Sequence, residues 1–214
     1  MNSLAHLVEP PLRPDELRDA RLFDHQTLKA VVLWSTSSLS TRHWRTGLEF
    51  TKTLTVGSNS NPNATPAPDV VSQVLPPGIY GGISVDMFQP EAHQNHLPST
   101  DGEVNLYGTL SVNPRMAHIL YSRSKNLFSC PLELKVSVRV KDVLDLMLAQ
   151  RRQYYKFNPR GSGCLYWQLQ LLQAFVANGW IAKASLDAAI TQITALAARP
   201  GSAVPYPPVM GTFY

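Results

Sequence analysis

A cysteine stands at the start of an apolar helix pattern, a position where nucleophilic chemistry is favourable. The stretch NPRGSGCLYW (158–167) puts Cys164 directly after a turn signal and two glycines. The first turn of a helix carries unpaired N–H groups and a partial positive charge, and both favour a thiolate. Gly161 and Gly163 let backbone amides approach a bound oxygen closely. The stretch is compatible with a thiol nucleophile beside an oxyanion site, although by itself it favours a small side chain that packs in the core.

A thiol nucleophile needs a base, and the chain has six histidines. Two of them, His43 and His118, stand on predicted strands that a fold can bring to a distant helix end. His43 shares its strand face with Arg45 and Glu49, which also suits an ordinary surface histidine. The other four, which are not favoured, stand in the N-terminal segment or in a polar loop: His6, His25, His93 and His96.

The sequence predicts no metal site and no cofactor. His93 and His96 stand in a loop near Glu91 and Asp101, but no further cysteine or carboxylate pattern completes a ligand set. The two cysteines lack the C-x-x-C spacing of a zinc site. No nucleotide or flavin motif is present either.

The residues singled out above must be positioned by secondary structure, and the first part of the chain shows strand patterns. Residues 28–37 form a β-rich apolar run, and residues 81–88 form another strand with Ser84 and Asp86 on one face. Residues 42–56 alternate, as a half-exposed strand does. One face of that strand carries Trp44, Thr46, Leu48 and Phe50, and the other carries His43, Arg45 and Glu49. Residues 103–112 and 117–124 are predicted as a pair of strands around the turn NPRM.

The last third of the chain is predicted to be helical. Helices are expected at 140–157, 163–178 and 185–199, the last with a Ser185 cap, and the aromatic tail from Val204 is expected to dock on the body. Strands followed by helices, without βαβ alternation, predict an α+β fold: a curved, mostly antiparallel sheet of about five strands within 28–124, packed against three C-terminal helices. The domain prediction is an N-terminal arm (1–27) and a single domain (28–214) with a loop-rich insertion around 57–102.

Composition narrows the function classes. The chain has 214 residues, a net charge of +4 and only 16% charged residues, and its basic residues are scattered. Without an aromatic-interleaved basic stripe, nucleic-acid binding is not indicated. No apolar run has the length of a signal peptide core or a membrane span, so a soluble cytoplasmic protein is expected. In such a reducing compartment Cys130 and Cys164 are expected to be thiols.

Four short motifs carry a resemblance to a family of uncharacterised fungal proteins. They are RHWRTGLEF, GGISVDMF, RRQYYKFNPRGSGCLYW and the closing GTFY. Members of that family carry an N-H-W strand, a G-x-G-C-R-[FY]-W helix start and a G-T-F-[FY] ending. This chain departs from the pattern with Arg42 before the histidine and Leu165 after the cysteine. The resemblance implies an enzyme of fungal secondary metabolism.

The order of a histidine strand, further strands and a cysteine helix also looks like circularly permuted papain-like thiol enzymes of the NlpC/P60 and lecithin-retinol acyltransferase type. Carried over to this chain, that resemblance implies Cys164 as the nucleophile and His43 as the base. It implies Asp86 as the group that orients the histidine.

Three functions are compatible with these observations. The first is a thiol enzyme acting on an ester, thioester or amide of a small molecule. The second is a cofactor-free cyclase, for example a Diels–Alder-type pericyclase, that works by orienting its substrate in a shaped apolar cavity. The third is a non-catalytic binding module. Residues proposed to contact the small-molecule substrate are Trp44, Tyr154, Tyr166, Trp167, Gln168 and Phe175.

Overall fold

Five antiparallel strands in the order β4-β3-β2-β1-β5 form the main sheet of the computed structural model. The model describes residues 21–37, 42–57, 75–89, 106–117 and 126–214. The main strands are β1 (Leu28–Ser37), β2 (Arg42–Val56), β3 (Gly78–Phe88), β4 (Thr109–Met116) and β5 (Asn126–Glu133). The helices are α1 (Val140–Ala149), α2 (Cys164–Ala177) and α3 (Lys183–Ala197), and β6 (Tyr155–Lys156) pairs with β7 (Thr212–Phe213). The predicted α+β class, with a curved sheet and C-terminal helices, is confirmed.

Alternation along β2 decides which residues face the helices. Trp44, Leu48 and Phe50 are buried in the core, as the period of two predicts. On the other face Glu49 forms an ion pair with Lys29 at 3.1 Å. The helix-facing side of the sheet is therefore apolar, and the opposite side carries most of its polar groups.

The two edge strands differ from the sequence prediction. NPRM was predicted as a turn, but these residues lie within β4, where Pro114 is in register with Ile83 of β3. The fifth strand is β5, which begins at Asn126 and pairs with β1, beyond the predicted limit of residue 124. Proline cannot donate to a ladder and is tolerated at sheet edges, and both β4 and β5 are edge strands that contain one. Residues 118–124 of the other predicted strand lie outside the described residues.

The helix boundaries need two corrections. The first helix was predicted to run to residue 157, but α1 ends at Ala149 because the chain reverses at Arg151, whose φ is 53°. Tyr155 and Lys156 then form β6 and pair with the tail strand β7, so the expected docking of the tail is confirmed. The third helix begins at Lys183 rather than at Ser185, and a Lys183–Asp187 pair supports its first turn.

Residues just before β1 belong to the core rather than to a surface arm. Phe23 is fully buried, and its ring centroid lies 5.3 Å from that of Phe50 and 6.1 Å from that of Tyr80. The domain therefore begins before residue 28. Residues 1–20 of the predicted arm and most of the predicted insertion lie outside the described residues.

None of the helices in the described part of the chain is long and apolar enough to cross a membrane.

Candidate active site

The nucleophile candidate sits in the first turn of a helix, as predicted. Helix α2 begins at Cys164, and its N-cap is Gly163 with a φ of 148°, a conformation that side chains with a Cβ rarely adopt. Asn158 closes the preceding turn: its Oδ1 accepts hydrogen bonds from the amides of Arg160 (3.1 Å) and Ser162 (2.7 Å). The turn thus delivers the chain into the helix with the thiol at its N-terminal end.

Tyr155 joins this helix start to the C-terminal segment. Its hydroxyl donates to the Gly163 carbonyl oxygen (3.0 Å) and accepts from the Gly211 amide (2.9 Å). A Cβ on Gly163 would lie 2.5 Å from that hydroxyl oxygen, so only glycine fits there. Burial raises the pKa of Tyr155, which keeps the phenol protonated and able to make both bonds. Two of the motifs singled out in the sequence, RRQYYKFNPRGSGCLYW and GTFY, therefore meet at this side chain.

The sheet loses one ladder next to this helix end. The pairing of β2 with β3 begins at Arg45 and Asp86. His43 and Trp44 lie beyond that pair, although here β2 stays paired with β1 and β3 stays paired with β4. Strands β2 and β3 therefore no longer pair with each other beside the N-terminus of α2.

Gln168, one turn after Cys164, fills the space between these strands. Its side chain is fully buried, its Oε1 accepts from Thr46 Oγ1 (2.7 Å), and its Nε2 donates to the carbonyl oxygens of Trp44 (3.2 Å) and Val85 (3.3 Å). These bonds tie α2 to both strands. They hold Cys164 at a defined height above the sheet.

His43 contacts both other members of the predicted set. Its Nε2 is hydrogen-bonded to Asp86 Oδ1, and the imidazole also forms a side-chain hydrogen bond with Cys164. Burial by itself lowers the pKa of His43, but the bonds to Asp86 and Cys164 outweigh it and raise the pKa to about 9. The imidazole is therefore protonated at neutral pH.

Asp86 is held from two sides. It is 5% exposed, and Arg45 Nε donates to its Oδ2 at 2.7 Å while His43 occupies Oδ1. Together with Ser111 and Asn113, these residues line a cavity of about 390 Å³ on the polar side of the sheet. The carboxylate is thus fixed in one orientation with both oxygens occupied.

A cavity of about 480 Å³ opens over Cys164 and His43. Its walls come from the ends of β2 and β3, the turn before α2, and the C-terminal segment. The residues that line it are His43, Trp44, Phe88, Gln89, Phe157, Gly161, Ser162, Gly163, Cys164, Leu165, Ala203, Pro205 and Val209. Sequence reasoning missed Phe88, Gln89 and the C-terminal wall. The docking tail was a usable signal, but it did not indicate which surface the tail would cover.

Three of the residues predicted to contact substrate are core residues instead. Trp167 and Phe175 are fully buried; Trp167 donates its Nε1 to the Arg152 carbonyl (2.9 Å), and Phe175 packs on Trp180 with ring centroids 5.2 Å apart. Gln168 is committed to the bonds described above. Helix α2 is buried around most of its circumference, so its periodicity could not distinguish residues facing a cavity from residues facing the core.

Two further predicted contacts also lie away from the cavity. Tyr154 packs against the ring of Tyr214 (5.6 Å between centroids), and Tyr166 lies 6.5 Å from the ring of Phe213. Both tyrosines therefore anchor the tail. Of the six predicted substrate contacts, Trp44 lines the cavity.

The structure describes some of the other histidine and cysteine candidates. His25 is exposed, and His6, His93, His96 and His118 lie outside the described residues. Cys130 and Cys164 form no disulfide with each other. Within the described ranges, no group of three His, Cys, Asp or Glu side chains is placed to hold a metal ion.

Fold and site together define an α+β protein with a cysteine–histidine–aspartate cluster at a helix N-terminus. A family model described as a domain of unknown function (DUF7770) matches residues 83–214, more than half of the chain, and the protein belongs to this family. The matched region contains Asp86, Cys164 and the C-terminal wall but begins after His43. No curated protein and no solved structure matches the chain.

Proposed function

We propose that the protein is a cofactor-independent thiol enzyme that transfers or hydrolyses the acyl group of a small ester, thioester or amide. The observation that carries this proposal is the hydrogen bonding of His43 to both Cys164 and Asp86 at the floor of a cavity. Nucleophile, base and orienting group within hydrogen-bond reach of one another are what covalent acyl transfer requires. The order of the histidine strand, the aspartate strand and the cysteine helix supports a permuted papain-like arrangement.

Each residue has a defined role in the proposed reaction. The Cys164 thiolate attacks the acyl carbon, and a carbon–sulfur bond forms. As the bond to the leaving group breaks, the His43 imidazolium donates its proton to the departing oxygen, sulfur or nitrogen. Because Nε2 is bonded to Asp86, we assign Nδ1 to this proton transfer. We assign stabilisation of the oxyanion to the backbone amides at the N-terminus of α2.

The second half of the reaction regenerates the enzyme. Water or another O–H, S–H or N–H acceptor attacks the thioester carbon and gives its proton to neutral His43. The carbon–sulfur bond breaks and the thiolate is restored as the partner of the imidazolium. Asp86 orients the ring through its bond to Nε2, and Arg45 holds the second carboxylate oxygen.

The test uses the two cysteines of the chain as a matched pair. Wild type, Cys164→Ala and Cys130→Ala are incubated with p-nitrophenyl butyrate at pH 7.5, and the bound acyl group is followed by intact-protein mass spectrometry. We expect wild type and Cys130→Ala to gain one butyryl group. Cys164→Ala should lose this acylation by about 10³-fold or more, because nothing else can form the covalent bond.

Equal acylation of wild type and Cys164→Ala would overturn the proposal. That result would favour a cyclase, for which the apolar lining of the cavity suffices and the thiol is only part of the wall. If none of the three proteins is acylated, a non-catalytic binding module becomes the better-supported function.

A further inference from the structure

The described part of the cavity lining carries no charged side chain outside the catalytic cluster. Among the residues that the structure describes, its lining includes no Asp, Glu, Lys or Arg, and it does include large apolar side chains such as Trp44, Phe88 and Phe157. The charged partners Arg45 and Asp86 line the cavity on the polar side of the sheet, not this one. A charged substrate group would therefore enter this cavity without a partner and lose its hydration.

Protonated His43 does not give the cavity a net positive charge. Its positive charge is matched by Asp86 and, in the proposed resting state, by the Cys164 thiolate, while Arg45 faces the other oxygen of Asp86. Two positive and two negative charges sum to zero. No net positive charge is left to attract a carboxylate on the substrate.

The C-terminal segment forms one whole side of the cavity. Ala203, Pro205 and Val209 all line the cavity; Ala203 and Pro205 are exposed, whereas Val209 is half-buried. The segment is fixed behind Val209 by the bond from the Gly211 amide to Tyr155 and by the β6–β7 ladder. Its neighbour Met210 points away and is 67% exposed. Val209 therefore stands on an anchored wall and cannot easily be displaced by a longer substrate.

We propose that the cavity binds an uncharged, apolar acyl group and that Val209 limits the length of that group. This inference rests on the proposed acyl-transfer function and names its substrate class. The polar contacts available to the acyl group are the Gln89 carboxamide and the Ser162 hydroxyl, which suit at most one neutral polar substituent. Each CH₂ buried against the apolar walls should raise kcat/KM about fourfold until the cavity is full.

The experiment compares thioesters that differ in charge and length. N-acetylcysteamine thioesters of butanoic, hexanoic, octanoic and adipic acid are offered to the wild-type chain, and thiol release and the acyl mass on Cys164 are measured. Hexanoyl and adipoyl groups have equal chain lengths, but adipoyl ends in a carboxylate. We expect hexanoyl transfer to be at least about tenfold faster than adipoyl transfer.

The length limit is tested by Val209→Trp with Met210→Trp as the matched control. The first variant should move the preferred chain toward butanoyl by about tenfold in relative kcat/KM, while the second should leave the wild-type profile unchanged. Val209→Leu is a milder version that should shift the profile in the same direction, and circular dichroism checks the folding of all three.

The outcomes separate the two proposals. Failure of every thioester to acylate Cys164 would overturn the proposed function itself. Acylation with equal hexanoyl and adipoyl rates would retain that function and overturn the substrate class. A third outcome is that adipoyl transfer is slower but both folded Val209 variants keep the wild-type preference for acyl chain length. That outcome would overturn the role of Val209.

Discussion

The two cysteines of this chain lie in regions with opposite physical character. Cys130 lies in edge strand β5 opposite Leu33, is 6% exposed, and has its sulfur 3.9 Å from the Pro131 carbonyl oxygen. Burial raises the pKa of the Cys130 thiol, which keeps it neutral. Cys164 instead lies at a helix N-terminus, is hydrogen-bonded to a protonated imidazole and lines a cavity. The two surroundings differ although the residue type is the same, which is why we propose Cys164 and not Cys130 as the nucleophile.

The largest expected effect concerns the reactivity of the two thiols. At pH 7, Cys164 should react with iodoacetamide at least about 10²-fold faster than Cys130, because Cys164 is bonded to the His43 imidazolium whereas burial raises the pKa of the Cys130 thiol. His43→Gln should lower the Cys164 rate by about 10²-fold and leave the Cys130 rate unchanged. Peptide mass spectrometry of each cysteine measures both rates in one sample. Equal alkylation rates for the two cysteines in wild type would contradict the proposed difference between their surroundings.

The next effect concerns the backbone that presents Cys164. Gly163→Ala should lower the free energy of unfolding by about 3 kcal/mol, since it combines a disfavoured φ with a clash against the Tyr155 hydroxyl. Gly179→Ala, at the other end of α2, is the matched control: its φ is 70° but its Cβ meets nothing within 4 Å, so about 1 kcal/mol is expected. Urea unfolding measures both values. Similar losses at the two ends would show that Tyr155 does not restrict the helix start.

The smallest effect is the pH dependence that Asp86 confers. The pKa of His43 is raised from 6.5 to about 9, so the stability that its protonated form contributes is fully present below pH 6.5 and is lost as the pH rises through about 9. Asp86→Asn should bring the pKa of His43 down and move this loss to lower pH. At pH 8 we expect a decrease of about tenfold in Cys164 alkylation.

Unfolding free energies of wild type and Asp86→Asn between pH 6 and 10 complete this test. The variant also leaves Arg45 without its carboxylate, which costs stability at every pH. The slope, rather than the absolute value, is therefore the quantity to compare. Parallel curves for the two proteins would show that Asp86 does not control the protonation of His43.

Local sequence patterns determined the elements that bear the site. The strict alternation of residues 42–56 predicts β2 and separates His43 from the core residue Trp44 without any knowledge of the fold. The turn NPRGSG predicts that Cys164 begins a helix, because asparagine, proline and glycine act within a few residues of chain. Such patterns work where the deciding interactions are local. They fail at Pro114, which ends strands in most contexts but is tolerated here because β4 lies at a sheet edge.

Tertiary structure alone decided what surrounds those elements. His43 and Cys164 are distant in sequence, and they meet because β2 and β3 stop pairing beside α2; local patterns contain no information on such a register. Tyr155, which lies within the predicted first helix, is in a strand instead because it pairs with Phe213, a partner near the end of the chain. The docked tail also contributes Val209 to the lining of the cavity that Cys164 lines, whereas Trp167 and Phe175 are buried in the core. Sequence therefore determined which residue types stand at helix and strand ends, whereas long-range pairing decided which of them share a cavity.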